Sequence, residues 1–588
     1  MPRKTRHRRG AARRRTRRAK ASEKTFASLQ GAEGPRPRRR APVRSIPPAL
    51  LKKYENISPF ELKGALIKEA KGKHPSLMLN AGRGNPNFFN SYCRTLFARL
   101  QIAAVGLSTP FKKDLKVYPR LGYTNFHQEL TNAAKGWPKR DQAFFAGYLN
   151  YLRKRAKEVG QKPNAIMHDV VMSTLGCFYP SPPRIQPHLS LIAKQFLHKL
   201  VLADRDMGKR DELPGLRMNA DQFDMFATEG AAAGILYVFN TLKDNYILNP
   251  GDHIALITPI FSPYLEMPLM EGASGYGLKT VLLKGDPGHE FSLSKETIDK
   301  LRDPRIKALF MVNPGNPGAY SLPKQNIIDI GKIVNTTRKD LLVLSDNVYA
   351  PFAPKYYSFM ASCPYNTIEV FSLSKYFGTT GWRLGLVMLS RKNRFNDMIA
   401  RLSAARKKKL DFRYETASLE PRKLTFMQRL VLDSRQVAEA HVGGLSTPQQ
   451  TILGLMLYYD MQDRNRTYQT NLRETLKTRI TSLYAQVDMK PHIMPTSTDY
   501  YSLVYIPEVT EHLFGPAARD RLIKKYNYLE FLFHLARIYH VVLLPGSGFG
   551  ADPWRVRVSL ANLDNQSYIK IGKALRACIE DFVAESKK

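Results

Sequence analysis

Residues 372–385 have the sequence SLSKYFGTTGWRLG, and this segment carries the strongest signal in the 588-residue chain. Lys375 follows two serines, Ser372 and Ser374, and precedes Arg383 by eight residues. A lysine amine can form an imine with an aldehyde and can act as a base once it is released. Hydroxyl groups and a planar guanidinium can hold a phosphate dianion. The segment therefore combines an amine that can react with a carbonyl group and side chains that can hold a phosphate.

Short apolar runs with few polar residues surround this segment along the chain. Runs of this kind predict buried strands of a parallel sheet that is covered on both faces. The predicted strands are His253–Thr258, Ala308–Asn313, Leu341–Asp346 and Ile368–Ser372. Ligands of open α/β sheets bind outside the carboxyl ends of the strands. We therefore expect Asn316, Asp346 and Lys375 to lie at one edge of the sheet.

Several further motifs follow or precede these strands. They are Thr228–Ala233 (TEGAAA), Pro259–Phe261 (PIF), Asn313–Gly318 (NPGNPG), Asp346–Tyr349 (DNVY) and Arg557–Asn562 (RVSLAN). Each motif alone has an ordinary interpretation, because NPGNPG is a turn signal and an aspartate that ends a strand is often a turn former. Together with the lysine segment, the set resembles the class I aminotransferases. That resemblance implies the cofactor pyridoxal 5'-phosphate (PLP).

The resemblance also implies how the chain binds the cofactor. Lys375 forms the Schiff base, and the Asp346 carboxylate keeps the pyridine nitrogen protonated so that the ring acts as an electron sink. Asn316 and Tyr349 bond the phenolate oxygen, and Phe261 stacks on the ring. The residues implied to hold the phosphate are Ser372, Ser374 and Arg383, the backbone amides of Gly230 and Ala231, and Tyr118, which reaches the phosphate of a neighbouring subunit.

The substrate-binding residues are implied in the same way. Arg557 would bind the substrate α-carboxylate as a bidentate pair, although Arg555 is an alternative assignment. Gly84, in the segment GRGNPNF, would contact the same carboxylate through its backbone. The expected fold is α/β, the PLP-dependent transferase fold type I. It has a large domain with a mainly parallel seven-stranded sheet and a smaller α/β domain.

Four other segments narrow the resemblance. They are Ser58–Lys63 (SPFELK), Asn80–Asn87 (NAGRGNPN), Thr258–Tyr264 (TPIFSPY) and Leu445–Gln450 (LSTPQQ). They resemble the bifunctional aspartate aminotransferase and aspartate 4-decarboxylase family over residues 50–585. The resemblance implies decarboxylation of L-aspartate to L-alanine and CO2, with transamination of aspartate and 2-oxo acids. The alternative is a plain amino-acid aminotransferase.

The decarboxylase family also implies two further site residues and an assembly. Lys63 and Arg83 would orient the 4-carboxylate of aspartate, while the competing interpretation of Lys63 is a solvated helix lysine. The expected assembly is a homodimer that builds a larger ring, a dodecamer. A third function, a PLP-fold regulator that binds nucleic acid, is disfavoured because residues 1–48 have no apolar pattern for a folded reader.

The formal charge of +41 is concentrated in part at the N-terminus, where residues 1–44 carry a net charge of +15. The predicted organisation is a disordered basic tail and linker (1–48), the first part of the small domain (49–115), the large domain (116–425) and the rest of the small domain (426–588). The tail is interpreted as a solvated extension, an anionic-surface tether or a transit peptide. We expect a cytoplasmic protein, or an organellar one if the tail is a transit peptide. No membrane span and no metal-binding cysteine spacing are predicted.

Overall fold

A computed structural model describes residues 42–55, 57–72, 75–122, 124–180, 185–202, 213–271, 275–437, 439–440 and 443–588. The predicted basic tail therefore lies outside the described residues as far as residue 41. By the density of their internal contacts, the residues divide into two compact units. The first, called the small unit here, comprises the described residues up to 84 together with 474–493 and 499–588. The second, called the sheet unit, comprises residues 85–473 and 494–498.

The strands are short and are numbered in chain order. They are β1 Leu79–Asn80, β2 Thr109–Lys112, β3 Leu115–Val117, β4 Phe223–Glu229, β5 His253–Thr258, β6 Lys279–Lys284, β7 Ile306–Val312, β8 Leu342–Asp346, β9 Thr367–Ser372, β10 Leu384–Ser390, β11 Tyr501–Tyr505, β12 Val541–Val542, β13 Leu544–Pro545 and β14 Arg555–Ser559. The four strands predicted from apolar runs are β5, β7, β8 and β9, so those predictions are confirmed to within two residues.

The α-helices are also numbered in chain order, without the 3₁₀ turns. They are α1 Pro48–Glu55, α2 Pro59–Lys71, α3 Ser91–Leu107, α4 Phe126–Ala133, α5 Lys139–Arg155, α6 Pro163–Leu175, α7 Pro187–Leu202, α8 Ala231–Asp244, α9 Pro263–Glu266, α10 Lys295–Asp299, α11 Lys324–Thr336, α12 Phe359–Ser362, α13 Arg394–Ala400, α14 Ala404–Tyr414, α15 Phe426–Asp433, α16 Thr447–Gln462, α17 Thr467–Ala485, α18 Ile506–Phe514, α19 Pro516–Lys525, α20 Tyr528–Tyr539 and α21 Asn565–Glu585.

The sheet unit is built on a seven-stranded sheet with the order β4-β10-β9-β8-β7-β5-β6. All neighbours pair in parallel except β10, which is antiparallel to both β4 and β9. Every residue of β8, β9 and β10 is buried, as near-continuous apolar strands require. The register pairs Val312 with Asp346 and Asp346 with Val370, so the carboxyl ends of β7, β8 and β9 meet at one edge. The predicted fold class is confirmed.

The small unit contains a three-stranded antiparallel sheet with the order β11-β14-β13, and β1 pairs in parallel with β12. Helix α2 starts at Pro59, the residue after Ser58, as the sequence predicts. This helix packs against α20 and β12 through a face that contains Leu62, Leu66 and Ala70, all buried. The helix therefore holds its one half-buried lysine, Lys63, at a fixed place in the unit.

The division of the chain differs from the predicted domain boundaries at two places. Helix α3 was expected in the small domain, but it packs against α6 and α16 and belongs to the sheet unit. Helix α16, expected in the C-terminal small domain, belongs to the sheet unit as well. The physical reason is burial, since the apolar side chains of α3, among them Leu96 and Leu100, are covered by those helices. Within the described residues, no helix has the length and hydropathy to cross a membrane.

Candidate active site

The lysine segment leaves the sheet at the end of β9 and is held by its own serines. The Ser372 hydroxyl donates to the carbonyl oxygen of Leu384 at 2.7 Å and lies 2.7 Å from the Ser374 hydroxyl. The backbone N–H of Ser374 donates to the Ser372 hydroxyl at 3.1 Å. Both serines are buried, whereas Lys375 is partly exposed. The hydroxyls therefore fix the turn that presents Lys375 at the sheet edge.

Asp346 is a buried carboxylate at the end of the neighbouring strand. One of its oxygens accepts a hydrogen bond from the Tyr264 hydroxyl at 2.9 Å, and the other accepts from the Val348 N–H at 3.1 Å. Burial raises the pKa of Asp346 to about 6, while these hydrogen bonds and the charge of Lys375 act in the opposite direction. A carboxylate in such surroundings is stabilised by a nearby cation or a charged N–H donor. A protonated pyridine nitrogen is a group of that kind.

Two buried polar side chains and one aromatic ring lie on the same unit. The Asn316 amide nitrogen is 3.5 Å from the Tyr349 hydroxyl, so two hydrogen-bond donors meet at one place. The Phe261 ring stands edge-on to Tyr264, with 5.2 Å between the ring centroids. Tyr264 also donates to Asp346, so this tyrosine contacts both Phe261 and the aspartate. The roles of Asn316, Tyr349 and Phe261 toward the phenolate oxygen and the ring stay predictions.

The predicted phosphate end is formed where β4 turns into α8. Gly230 has a φ of +89°, and a Cβ atom there would lie 2.4 Å from the Arg383 guanidinium. Arg383 donates to the carbonyl oxygens of Glu229 and Thr380, both at 2.9 Å. The Gly230 N–H donates to the Thr228 carbonyl oxygen at 2.8 Å, so Ala231 supplies the first helical N–H at this end. The glycine is therefore needed for the close approach of Arg383.

Tyr118 lies in the loop after β3, with half of its side chain exposed. The Cys177 thiol beside it raises the pKa of the Tyr118 hydroxyl. Its implied target is the phosphate of a neighbouring subunit. That role stays a prediction.

The predicted carboxylate-binding residues belong to the small unit. Arg557 lies on β14 with only 2% of its surface exposed, and its guanidinium donates to the Gly82 carbonyl oxygen at 2.8 Å. The rings of Tyr501 and Phe549 lie 4.8 and 4.6 Å from the guanidinium carbon. The carbonyl oxygen of Gly84 accepts a hydrogen bond from the Tyr500 hydroxyl at 2.9 Å. A buried, pre-oriented guanidinium of this kind is suited to a carboxylate.

Arg557 and Arg83 both lie close enough to Lys63 for their charges to act on its amine. The pKa of Lys63 is lowered first by burial and then by the charges of Arg557 and Arg83, while Glu61 acts in the opposite direction. Three cations thus occupy one region of the small unit, which we call the cation cluster (Lys63, Arg83 and Arg557). Mutual repulsion among these cations is relieved when carboxylates bind.

Two tyrosines that support the site were not predicted from the sequence. Tyr264 donates to Asp346 across 82 positions of sequence, and Tyr500 donates to Gly84 across 416 positions. Tyr264 lies within the segment TPIFSPY, which was noted only for its family resemblance. A fully buried tyrosine needs a partner for its hydroxyl, but the sequence does not say which group supplies it.

The groups of the sheet unit fit PLP by their chemistry. A lysine, a buried acid with a raised pKa, paired donors at Asn316 and Tyr349, and an arginine packed against a glycine turn match an aldehyde, a ring nitrogen, a phenolate and a phosphate in turn. The small unit adds a cationic region suited to carboxylates. These features define a PLP-dependent enzyme of the aminotransferase fold.

Residues 221–575 match the family model described as "Aminotransferase class I and II". The chain therefore belongs to this family, its cofactor is PLP, and its substrates are amino acids and 2-oxo acids. The chain is 36% identical over 546 residues to a Pseudomonas protein named "Bifunctional aspartate aminotransferase and L-aspartate beta-decarboxylase". The alignment covers 90% of this chain and 97% of the Pseudomonas protein. An aspartate aminotransferase of Pinus pinaster is 31% identical over 24% of this chain and 28% of its own.

Solved structures support the fold at lower sequence identity. The methionine aminotransferase YbdL of Escherichia coli aligns with a TM-score of 0.53 at 15% identity, over 91% of this chain and 100% of its own. The aromatic aminotransferase of Pyrococcus horikoshii aligns with a TM-score of 0.52 at 17% identity, over 86% of this chain and 94% of its own. At these identities the likeness concerns the fold alone.

Proposed function

We propose that the chain removes the 4-carboxylate of L-aspartate to give L-alanine and CO2, and that it also transaminates aspartate with 2-oxo acids. The observation that carries the proposal is the cation cluster, because aspartate has two carboxylates and the cluster offers three cations. The Pseudomonas relative, similar over nearly its whole length, has a name that states both activities.

The contacts described above support the following roles in the sheet unit. The bound cofactor supplies an electron sink for negative charge that develops on the substrate. Lys375 forms the covalent link to the cofactor and, once released, moves the proton at the substrate Cα. Asp346 holds the proton on the ring nitrogen, and Tyr264 fixes the orientation of that carboxylate. Asn316 and Tyr349 hydrogen-bond the phenolate oxygen.

The remaining cofactor residues act on the ring and the phosphate. Phe261 stacks on the ring. Ser372, Ser374, Arg383 and the amide of Ala231 hold the phosphate, with Gly230 leaving room for the guanidinium. Tyr118 reaches the phosphate of a second subunit. The strand ends and the helix terminus give these groups fixed positions, which is what binding and orientation require.

In the small unit, Arg557 holds the substrate α-carboxylate, with Gly84 contacting it through the backbone. Lys63 and Arg83 orient the 4-carboxylate so that its bond to the substrate carbon can break. Very tight binding of that carboxylate would stabilise the ground state and slow the loss of CO2. Burial and the charges of Arg557 and Arg83 lower the pKa of Lys63, so these surroundings disfavour its charged form until a carboxylate binds.

We also propose a homodimer that assembles into a dodecamer, and a cytoplasmic location. The four cysteines are all free, which supports a reducing compartment. Sedimentation of the purified protein measures the assembly directly, and a mass of twelve chains is the expected result.

The decisive experiment incubates the purified protein with PLP and L-aspartate, without and with a 2-oxo acid, and follows CO2 and L-alanine. Steady alanine and CO2 production without the 2-oxo acid supports the proposal. Product formation that requires the 2-oxo acid and releases no CO2 selects the plain aminotransferase instead. L-Glutamate, which has one more methylene group, is the matched control substrate and should release no CO2.

A further inference from the structure

The chain immediately after Lys375 is fixed by groups from helices α16 and α17. Tyr376 is 1% exposed, and its hydroxyl donates to the carboxylate of Asp460 on α16 at 3.0 Å. The backbone carbonyl oxygen of the same residue accepts from the Tyr468 hydroxyl on α17 at 2.9 Å. The side chain and the main chain of Tyr376 are thus held separately by two helices.

The next residues are held from a third helix. The Phe377 carbonyl oxygen accepts from the N–H of Asn90, the N-cap of α3, at 3.2 Å. The Gly378 carbonyl oxygen accepts from the guanidinium of Arg94 on α3 at 2.7 Å. The Phe377 ring stacks on the Tyr468 ring with centroids 5.1 Å apart. None of these groups belongs to the predicted cofactor site, although all bear on the segment that carries Lys375.

Asp460 differs in its surroundings from the other groups that hold this segment, which are Tyr468, Asn90 and Arg94. It lines a cavity of about 810 Å³ together with Lys199 and Arg466. The charges of these two residues and of Asp463 act on Asp460, and Asp463 also caps α17 through the N–H groups of Thr467 and Tyr468. The carboxylate thus has a hydrogen-bond donor on one side and a charged cavity on the other. An interaction of this kind can orient a buried hydroxyl precisely.

We propose that Asp460 and Tyr376 are positioning residues that set the place of the Lys375 amine relative to the cofactor. This inference rests on the proposed function, since it requires Lys375 to react. The position of a side chain depends on the position of the backbone that carries it. A shift of about 1 Å in a reacting group can lower a rate by about 100-fold. The hydrogen bond between Tyr376 and Asp460 limits such a shift at the adjacent residue.

The test is the substitution Tyr376→Phe, which removes one hydroxyl and keeps the ring. The matched control is Tyr414→Phe, because Tyr414 is also buried and also donates to a buried aspartate, Asp433, at 2.9 Å, but on helices α14 and α15. We expect Tyr376→Phe to lower kcat for aspartate by roughly tenfold and to change KM by less than about twofold. The visible absorbance band of the bound cofactor should also titrate at a different pH in Tyr376→Phe and at the wild-type pH in Tyr414→Phe.

The substitution Asp460→Asn is the conservative variant, because its amide oxygen can still accept the hydrogen bond from the Tyr376 hydroxyl. This variant should keep most of the wild-type kcat. Asp460→Ala removes the acceptor and should reproduce the effect of Tyr376→Phe on kcat and on the absorbance titration. If Tyr376→Phe cannot be purified in a folded form, the same two measurements on Asp460→Ala test the inference. An unchanged absorbance titration with an unchanged kcat in Tyr376→Phe would overturn the inference, as would equal effects in Tyr414→Phe. A wild-type protein that forms no visible band with PLP would instead overturn the proposed function.

Discussion

The two units of this protein carry opposite electrostatic features. In the sheet unit, a carboxylate is buried beneath the sheet edge, and burial raises the pKa of Asp346. In the small unit, three cations occupy one region, and burial together with neighbouring charge lowers the pKa of Lys63. Each feature is costly by itself and is relieved by a charge of opposite sign. A protonated ring nitrogen fits the first unit, and a dicarboxylate fits the second.

We propose that the two units have different roles, the sheet unit binding the cofactor and the small unit binding the carboxylates of the substrate. The proposed roles of Asp346, Asn316 and Arg383 concern the cofactor, and their contacts do not distinguish one amino-acid substrate from another. In the proposed function the cation cluster makes this choice, because it supplies more positive charge than one α-carboxylate needs. Substitution of the proposed cofactor residues of the sheet unit should therefore impair both reactions, whereas substitutions in the cation cluster should change how aspartate binds or which reaction it undergoes.

The largest effect is expected for Lys375→Ala. Removing the amine eliminates both the covalent link and the base, so decarboxylation and transamination should each fall by at least roughly 10³-fold. Borohydride treatment of the wild type should attach the cofactor to the peptide that contains Lys375, and mass spectrometry of the digested protein measures this. The exposed lysine Lys332 on α11 supplies the control variant Lys332→Ala, which should behave as the wild type.

A labelled peptide from elsewhere in the wild-type chain, or an undiminished rate in Lys375→Ala, would remove the basis for assigning this lysine.

The Asp346 carboxylate gives a prediction on pH. In the apoprotein the unfolded aspartate ionises near its ordinary pKa of 3.8, whereas the folded one stays protonated until about pH 6. The folded state is therefore penalised as pH rises from about 4 to about 6, and the two-unit shift corresponds to about 3 kcal/mol. Denaturant unfolding of the apoprotein at several pH values measures the loss of stability.

The variant Asp346→Asn cannot ionise and should lack this part of the pH dependence. Glu369 on β9 has a pKa that burial raises to about 7, and it contributes a similar trend to both proteins. The difference between the two unfolding curves isolates Asp346. Curves that run parallel from pH 4 to pH 7 would show that Asp346 is not the titrating group.

Arg557→Ala should affect substrate binding in the small unit without affecting cofactor binding in the sheet unit. Loss of a buried guanidinium that pairs with a carboxylate costs about 2–5 kcal/mol, so KM for aspartate should rise by roughly 30-fold or more. The absorbance of the bound cofactor should stay unchanged, because the sheet unit is intact. Arg555 on the same strand, whose guanidinium carbon lies 4.7 Å from the Tyr505 ring, provides the control Arg555→Ala with a far smaller change in KM. The reverse order of the two effects would move the α-carboxylate site to Arg555.

The sequence alone predicted more of the sheet unit than of the small unit, and the reason is physical. Strands β5, β7, β8 and β9 are buried on both faces, so their apolar runs are unmistakable, and the polar residues that end them lie at one edge by the rules of parallel sheets. The donors to Asp346 and to Gly84 were not predicted because Tyr264 and Tyr500 reach them across 82 and 416 positions of sequence.

The domain boundaries show the same limit. Helix α3 carries exposed apolar residues such as Ile102 as well as buried ones such as Leu100. Its sequence pattern therefore predicts that the helix packs against other elements, but it does not identify those elements. Its partners, α6 and α16, are separated from it by long stretches of chain. The predicted boundary at residue 115 therefore differs from the division at residue 84, which groups α3 with the sheet unit.

The smallest and most specific effect is expected for Lys63→Ala and Arg83→Ala. If these two cations orient the 4-carboxylate, each substitution should lower the ratio of alanine to oxaloacetate by about tenfold, which corresponds to about 1.4 kcal/mol in relative barrier height. The total turnover of aspartate should change less than the ratio does. Chromatography of the products from one incubation measures both quantities together.

Lys68 provides the matched control, because it lies on the same helix as Lys63 and is exposed. Lys68→Ala should leave the product ratio unchanged. Lys63→Arg keeps the charge but cannot lower its pKa as readily, and it should bind aspartate at least as well while releasing CO2 more slowly. An unaltered ratio and rate in both Lys63→Ala and Arg83→Ala would mean that Arg557 alone distinguishes the substrate, and the choice between the two reactions would then have to be sought outside the cation cluster.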